Sequence, residues 1–149
     1  AKFFADAFNA LLAEPAFARV VRIDGRVDRL ALPADGSLDA VLLVMAYHDI
    51  FLTDEDRGAL NRSVLAALKP GGVYGIIDHE AGRGVGTGAI EKLHRIEKQA
   101  VIDEVTAAGF KRAGEADFLR NTADDHTAAI FAPAVAGKTD RFVLRFEKR

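Results

Sequence analysis

The 149-residue chain contains no cysteine. Disulfide bonds, thiolate catalysis and cysteine-ligated zinc are therefore excluded. It has 20 basic and 22 acidic residues, so it lacks the basic excess typical of nucleic-acid-binding proteins. No apolar run approaches the roughly 18–20 residues that cross a bilayer, and no signal-peptide pattern is present. These absences predict a protein without nucleic-acid or membrane partners, with a cytoplasmic location as the default unless an export signal lies upstream.

The first residue is alanine, and an amphipathic helix pattern follows it at once. We therefore expect the natural chain to begin further upstream. Half of the residues are hydrophobic, which is enough to bury a sizeable core. The length suits a single domain over residues 1–149, and no linker or repeat divides it.

Helical and strand-like patterns alternate along the chain. Helices are predicted at residues 2–14, 54–68 and 90–108, and strands at residues 19–23, 39–45, 73–78, within 111–119, and 141–146. The apolar run at 39–45 is typical of a strand buried on both faces. Alternating strands and helices predict a parallel α/β sheet, and the loop connection between the last two strands predicts one antiparallel edge strand.

Two motifs carry a family resemblance. Residues 32–41 (LPADGSLDAV) and 65–72 (LAALKPGG) occur in order, and the pair resembles the passages into the fourth and fifth strands of class I S-adenosylmethionine (SAM)-dependent methyltransferases. Further stretches resemble an uncharacterised bacterial branch of predicted methyltransferases, so that the likeness extends over nearly the whole chain. These stretches lie at residues 47–49, 93–96, 107–110, 119–121, 123–126 and 137–144.

The resemblance implies an incomplete Rossmann-like sheet flanked by helices. The family's strand order is 3-2-1-4-5-7-6 with strand 7 antiparallel, and this chain corresponds to strands 3–7. Strands 1 and 2, which provide the glycine-rich turn and the ribose-binding acid, have no counterpart. Without them, residues 41–45 of the fourth strand would lie on an open edge, which needs to be paired or covered. We therefore expect one of three outcomes: the third strand slides against the fourth, two chains pair edge to edge as a homodimer, or an upstream segment exists but is disordered or cleaved.

The resemblance also implies SAM as cofactor, with Arg26, Asp28, Met45 and Ala46 as candidate cofactor-contacting residues. Arg26 stands where the family commonly has an aspartate that binds the adenine amine. A guanidinium group has no acceptor for that amine. Asp28 could replace the aspartate only with a shifted backbone.

A second glycine-rich segment offers an alternative cofactor loop. Gly84, Gly86 and Gly88 follow a strand and precede a helix, as in dinucleotide-binding turns. The acidic residue that should end the next strand falls inside a predicted helix instead. We therefore interpret residues 82–88 as a flexible loop on the substrate side.

On the implied map His48 follows the fourth strand and His79 ends the fifth, while His94 lies just beyond the glycine loop and His126 lies in the loop between the last two strands. All four histidines then reach the carboxyl edge of the sheet, where open α/β sheets bind ligands. The candidate catalytic residues are His48, Tyr47, Asp49 and His79, with His48 accepting a proton from an oxygen or nitrogen acceptor. Tyr47 would contact the methionine moiety or the acceptor. The candidate residues for a small-molecule acceptor are His94, Arg95, Asn121, Asp125 and His126.

Two other interpretations of these residues remain open. Metal binding by His48, Asp49, His79 and His126 lacks any HxH or HExxH spacing, and no metal site is assigned from sequence. A structural role fits residues 120–126, with Asp125 orienting His126 and the loop's polar side chains capping backbone groups. The function predicted is methyl transfer, and the alternative is a non-catalytic methyltransferase-like module that binds a ligand or dimerises.

Overall fold

The computed structural model describes the backbone of residues 2–149 and the side chains of residues 5–149. Its elements in chain order are α1 (Lys2–Leu12), β1 (Leu38–Val44), α2 (Tyr47–Phe51), α3 (Arg57–Ala67), β2 (Leu68–His79), α4 (Ile90–Leu93), α5 (Lys98–Ala107), β3 (Lys111–Ala116) and β4 (Arg141–Glu147). Single 3₁₀ turns occur at Pro15–Phe17 and Val27–Arg29.

The four strands form one sheet in the order β1-β2-β4-β3. Strands β1 and β2 are parallel, and β4 runs antiparallel to both β2 and β3. This order corresponds to 4-5-7-6 of the methyltransferase sheet and confirms the expected mixed α/β fold with its antiparallel seventh strand. The parallel pair depends on a crossover through α2 and α3, because parallel neighbours cannot be joined by a tight turn.

The core lies between one face of the sheet and the helices. Tyr74 and Ile76 of β2 are fully buried, and β4 buries alternate residues on the same pattern. Val64 of α3 and Val101 of α5 belong to the same buried cluster. The buried alternate side chains of the strands therefore pack against the apolar faces of α3 and α5.

The outer edge of β1 is free within residues 2–149, as expected for a sheet without strands 1 and 2. The prediction that this strand is buried on both faces is wrong. Leu42 is 71% exposed and Val44 is 47% exposed. The residues of β1 that pack against the core are Leu38, Val41 and Leu43.

Two predicted elements are different in the structure. Residues 19–23 form no strand, so the sheet has four strands rather than five, and Val21 is largely exposed. The predicted helix 90–108 is divided into α4 and α5. His94 ends α4 in a left-handed conformation (φ 53°), and Ile96 then forms a bridge with Glu80.

Local capping explains where α3 begins. Asp56 is its N-cap, and its carboxylate accepts a hydrogen bond of 3.0 Å from the backbone N–H of Ala59. The helix therefore starts three residues later than the sequence pattern indicates. None of the helices described over residues 2–149 is both long and apolar enough to cross a membrane.

Candidate functional site

Three of the four histidines meet at the carboxyl edge of the sheet. We call His48, Asp49, Asp78, His79 and His94 the histidine cluster. The rings of His79 and His94 each lie 5.6 Å, centroid to centroid, from the ring of His48. β1 leads into the short helix α2 that carries His48 and Asp49, β2 ends at Asp78 and His79, and α4 ends at His94.

His48 is fixed by the buried carboxylate of Asp78. The Nδ1 atom of His48 lies 2.7 Å from Oδ1 of Asp78, and the backbone N–H of His48 donates to Oδ2 at 2.9 Å. The backbone N–H of His79 also donates to Asp78. Because Nδ1 is held by the carboxylate, the Nε2 atom of His48 is the one that faces the rest of the cluster.

Asp49 connects two of the histidines. Its Oδ1 atom lies 3.0 Å from Nε2 of His48 and 3.4 Å from Nδ1 of His94. Asp49 is more than half exposed and His94 is partly exposed, whereas His48 is buried. The cluster therefore opens to solvent on the side of Asp49 and His94.

The two buried histidines have opposite pKa shifts. Burial lowers the pKa of His48, but the hydrogen bond and charge of Asp78, with the charge of Asp49, outweigh burial and raise the pKa above its usual value. Burial lowers the pKa of His79 to about 4. The Nδ1 atom of His79 contacts the hydroxyl of Thr139 at 2.7 Å. His48 is thus suited to bear a charge, and His79 to remain neutral.

Tyr47 points away from the cluster. Its side chain is fully buried, and its hydroxyl donates to Glu104 at 2.8 Å and accepts from Asn61 at 2.9 Å. Tyr47 therefore faces the core rather than the sheet edge at which we expected it to contact cofactor or acceptor. In α2, Tyr47 and His48 are successive residues and project about 100° apart, so that one enters the core while the other reaches the sheet edge.

A second polar network lies beside the cluster. Arg95 is fully buried, pairs with Asp124 at 2.9 Å and donates to the backbone carbonyls of Glu80 and Ala128. The carboxylate of Asp124 also accepts hydrogen bonds from the backbone N–H groups of Asp140, at 2.7 Å, and His126, at 3.1 Å. This network joins the loop before β4 to the end of β2.

His126 belongs to this second network rather than to the histidine cluster. Its Nε2 atom lies 2.9 Å from Oδ2 of Asp140, which Arg120 also contacts at 2.7 Å. A cleft of about 380 Å³ adjoins this region. Its lining residues are Glu80, Ala81, Arg83, Glu97, Lys98, Gln99, Arg120 and His126.

Asn121 and Asp125 organise the neighbouring loop. Asn121 donates to the carbonyl of Lys138 and accepts from the backbone N–H of Ala123. Asp125 accepts from the backbone and the hydroxyl of Thr127. Asp140, and not the expected Asp125, therefore contacts the His126 ring.

The candidate cofactor residues lie in two separate groups. Arg26 binds Asp28 at 3.1 Å and Asp54 at 2.8 Å, and these carboxylates raise its pKa. Met45 has a left-handed backbone (φ 50°), precedes Ala46 at the end of β1, and contacts Arg141 through its sulfur. Within residues 5–149 no hydrogen bond or ion pair joins the two groups.

The alternative glycine loop is already bound by the chain itself. The backbone N–H groups of Gly84 and Gly86 donate to the two carboxylate oxygens of Glu97 at 2.9 and 2.7 Å. These bonds lower the pKa of Glu97. An internal carboxylate therefore takes the place that a phosphate or ribose would need in a cofactor loop.

Thr139 and Asp140 were not assigned a role from sequence. They immediately precede β4, whose first residue pairs with His79. Because β4 is antiparallel, its beginning lies at the carboxyl ends of β1 and β2. Polar residues just before the predicted antiparallel strand were the signal that could have identified them.

No family model and no curated protein matches the chain. Solved structures do match. The glycopeptide N-methyltransferase MtfA, complexed with S-adenosyl-L-homocysteine (SAH), aligns over 100% of this chain and 70% of its own, with TM-score 0.65 and 18% identity. A SAM-dependent methyltransferase from Aquifex aeolicus aligns over 94% of this chain and 61% of its own, with TM-score 0.63 and 12% identity.

The cyclase SpnF also matches, over 94% of this chain and 60% of its own, with TM-score 0.64 and 17% identity. The chain spans 38–61% of the length of the first four matched structures. Identities this low establish the fold alone, and a cyclase among the matches agrees with the rule that fold does not decide activity. The described residues have the fold of the class I SAM-dependent methyltransferases.

Proposed function

We propose that this chain supplies the acceptor-binding edge of a SAM-dependent methyltransferase that acts on an oxygen or nitrogen atom of a small molecule. The observation that carries the proposal is the histidine cluster at the carboxyl edge of the sheet. Ligands of open α/β sheets bind at this edge. The matched structure of MtfA, with bound SAH, supports the choice of cofactor.

Within the cluster, His48, Asp49 and His94 would hold the acceptor. Asp78 fixes the ring of His48 through Nδ1. The partly exposed side chains of Asp49 and His94 leave the approach open. His79 would remain neutral beside them, because burial depresses its pKa to about 4.

The described residues fit the cofactor incompletely. Arg26 is bound to Asp28 and Asp54 and offers no acceptor to an adenine amine. The amides of Gly84 and Gly86 are bound to Glu97. Neither group therefore offers a contact to the adenosine part of SAM, while Met45 and Ala46 remain candidates for contact with its methionine part. No reaction step is assigned to the bound cofactor.

The proposal is tested by methyl transfer from labelled SAM to a panel of small molecules bearing hydroxyl or amine groups. The SAM concentration is set above the dissociation constant measured for SAM binding to the chain. We expect a methylated product, with a rate about tenfold or more lower in Asp49→Asn. The control Asp39→Asn changes an exposed aspartate outside the cluster and should retain the rate. The absence of product with every acceptor at saturating SAM would contradict the proposal.

The free edge of β1 supports a second, non-catalytic role. Met45 donates its backbone N–H to Ile77, so in the alternating pattern of a strand the N–H groups of Leu42 and Val44 point outward. An unpaired apolar edge is a template for another strand. We propose a second copy of this chain as the partner, joined edge to edge into a dimer.

A further inference from the structure

The contact geometry in the histidine cluster points to a metal site. We propose that His48, Asp49 and His94 bind a divalent transition-metal ion of the Zn²⁺ type at the mouth of the cluster. One ligand atom from each of these residues lies within 4.8 Å of the others. Sequence spacing gave no sign of this set, because the three ligands come from α2 and from the end of α4.

The contact between Asp49 and His94 fits metal ligation better than a hydrogen bond. Asp49 Oδ1 lies 3.4 Å from His94 Nδ1, which is longer than a good N–H···O hydrogen bond. Two atoms that each lie about 2.1 Å from a zinc ion at a tetrahedral angle are about 3.4 Å apart. At the same metal–ligand distance, the 3.0 Å between Asp49 Oδ1 and His48 Nε2 corresponds to an angle of about 91°, so tetrahedral binding would require this contact to widen by about 0.4 Å.

The buried carboxylate behind His48 is the second supporting observation. Asp78 holds Nδ1 of His48 at 2.7 Å and leaves Nε2 directed at Asp49. Metal-bound histidines almost always donate their other ring N–H to a carboxylate, a carbonyl or a water molecule, which fixes the ring and raises its basicity. Asp78 is therefore a positioning residue in the proposed site.

His94 provides the third observation. Its backbone is left-handed at φ 53°, a conformation that is costly for a residue other than glycine and that concentrates at functional sites. This turn ends α4 and brings Nδ1 of His94 to Asp49.

The ligand set also indicates the class of metal. Two imidazoles and one carboxylate suit Zn²⁺ and its neighbours, whereas Mg²⁺ prefers oxygen ligands alone. Three protein ligands leave a coordination position open, as in catalytic zinc sites. If the proposed function holds, this open position would bind an oxygen atom of the acceptor, and the site would therefore select acceptors with a hydroxyl or carboxylate group. Metal binding itself does not depend on methyl transfer.

Calorimetry of the chelator-treated full chain with ZnCl₂ and with MgCl₂ tests the site. We expect one Zn²⁺ per chain and no detectable Mg²⁺ binding. The variants His94→Gln and Asp49→Asn should weaken Zn²⁺ binding about tenfold or more. Both side chains are partly exposed, so these variants should fold, and circular dichroism checks that they do.

The matched control is His126→Gln. His126 is also left-handed (φ 64°), and its side chain is 22% exposed against 29% for His94. The Zn²⁺ affinity of the His126→Gln variant should remain within about twofold of that of the wild-type chain. Equal Zn²⁺ binding by wild type and His94→Gln, a loss in His126→Gln, or equally tight Mg²⁺ binding would overturn the proposal. Zn²⁺ binding without methyl transfer would support the metal site and contradict the proposed function. Methyl transfer by a chain that does not bind Zn²⁺ would support the proposed function and contradict the metal site.

Discussion

His48 and Asp78 are 30 residues apart in the sequence and in contact at two points, ring to carboxylate and backbone to carboxylate. The backbone N–H of His79 adds a third hydrogen bond to the same carboxylate. Asp78 thereby ties the start of α2 to the end of β2. It fixes both the position and the ring orientation of His48, and a ligand site needs both to be set before the ligand arrives.

The affinity for the cofactor is the first prediction. Calorimetry of this chain with SAH should give a dissociation constant weaker than about 100 µM, equivalent to about −5.5 kcal/mol. The reason is that Arg26 is bound to Asp28 and Asp54 and provides no acceptor for the adenine amine. Tighter binding would show that the described residues contain a complete cofactor site.

Removal of Arg95 should destabilise the fold strongly. Arg95 and Asp124 form an ion pair whose side chains are both 0% exposed. In Arg95→Met the buried carboxylate of Asp124 loses its partner, and we expect a loss of about 3–5 kcal/mol in the free energy of unfolding, measured with urea. The control Arg145→Ala breaks an exposed pair with Glu147 and should cost about 0–1 kcal/mol. A loss below about 1 kcal/mol in Arg95→Met would contradict the buried pairing.

Glu104 should make stability depend on pH. Burial alone raises the pKa of its carboxyl, but the hydrogen bonds from Arg57 and Tyr47 outweigh burial and lower the pKa below the usual 4.5. A carboxylate with a lowered pKa stabilises the folded state above about pH 4.5, and this contribution is lost as the pH falls through the lower, folded-state pKa.

The variant Glu104→Gln tests this dependence in urea unfolding. At neutral pH the variant should be less stable than wild type by about 1–2 kcal/mol, and the difference should shrink as the pH falls below about 4.5. The exposed residue Glu91, changed to Gln, is the control and should alter the free energy of unfolding by less than about 0.5 kcal/mol at neutral pH. A difference that stays constant with pH would exclude the role given to Glu104.

The free edge of β1 predicts self-association. Analytical ultracentrifugation over a range of concentrations should show a dimer of the wild-type chain. Leu42 is 71% exposed, so Leu42→Lys should fold normally, and its charge should oppose edge pairing and give a monomer. Phe118→Lys changes an equally exposed residue away from β1 and should leave the dimer intact. A wild-type chain that is monomeric at all concentrations would contradict the proposed pairing.

Much of the fold was predictable because its elements carry local signals. The apolar runs before Ala46 and before His79 and the alternation over 141–146 located three of the four strands, although β2 begins at Leu68, five residues before the predicted strand. The family-like motifs supplied their order, including the antiparallel last strand. These features depend on periodicity and backbone restrictions, which short stretches of sequence express by themselves.

The failures came where a local pattern depended on a distant partner. Residues 19–23 have strand-like alternation but no neighbouring strand to satisfy their N–H and C=O groups. The helical pattern over 90–108 is interrupted because Ile96 bonds with the end of β2. Leu42 lies on the face of β1 opposite the core and is exposed there, although its sequence resembles a fully buried strand.

By itself, the sequence located the strand ends that carry His48, Asp78 and His79, and the family-like strand order then placed the polar residues at one edge of a mixed α/β sheet. Only the tertiary structure decided how they divide. His94 joins His48 and Asp49, whereas His126 joins Asp140, and Tyr47 turns into the core beside Glu104. The physical reason is that side-chain direction follows from helix phase, left-handed turns and buried carboxylates such as Asp78, which become fixed only when distant elements pack together.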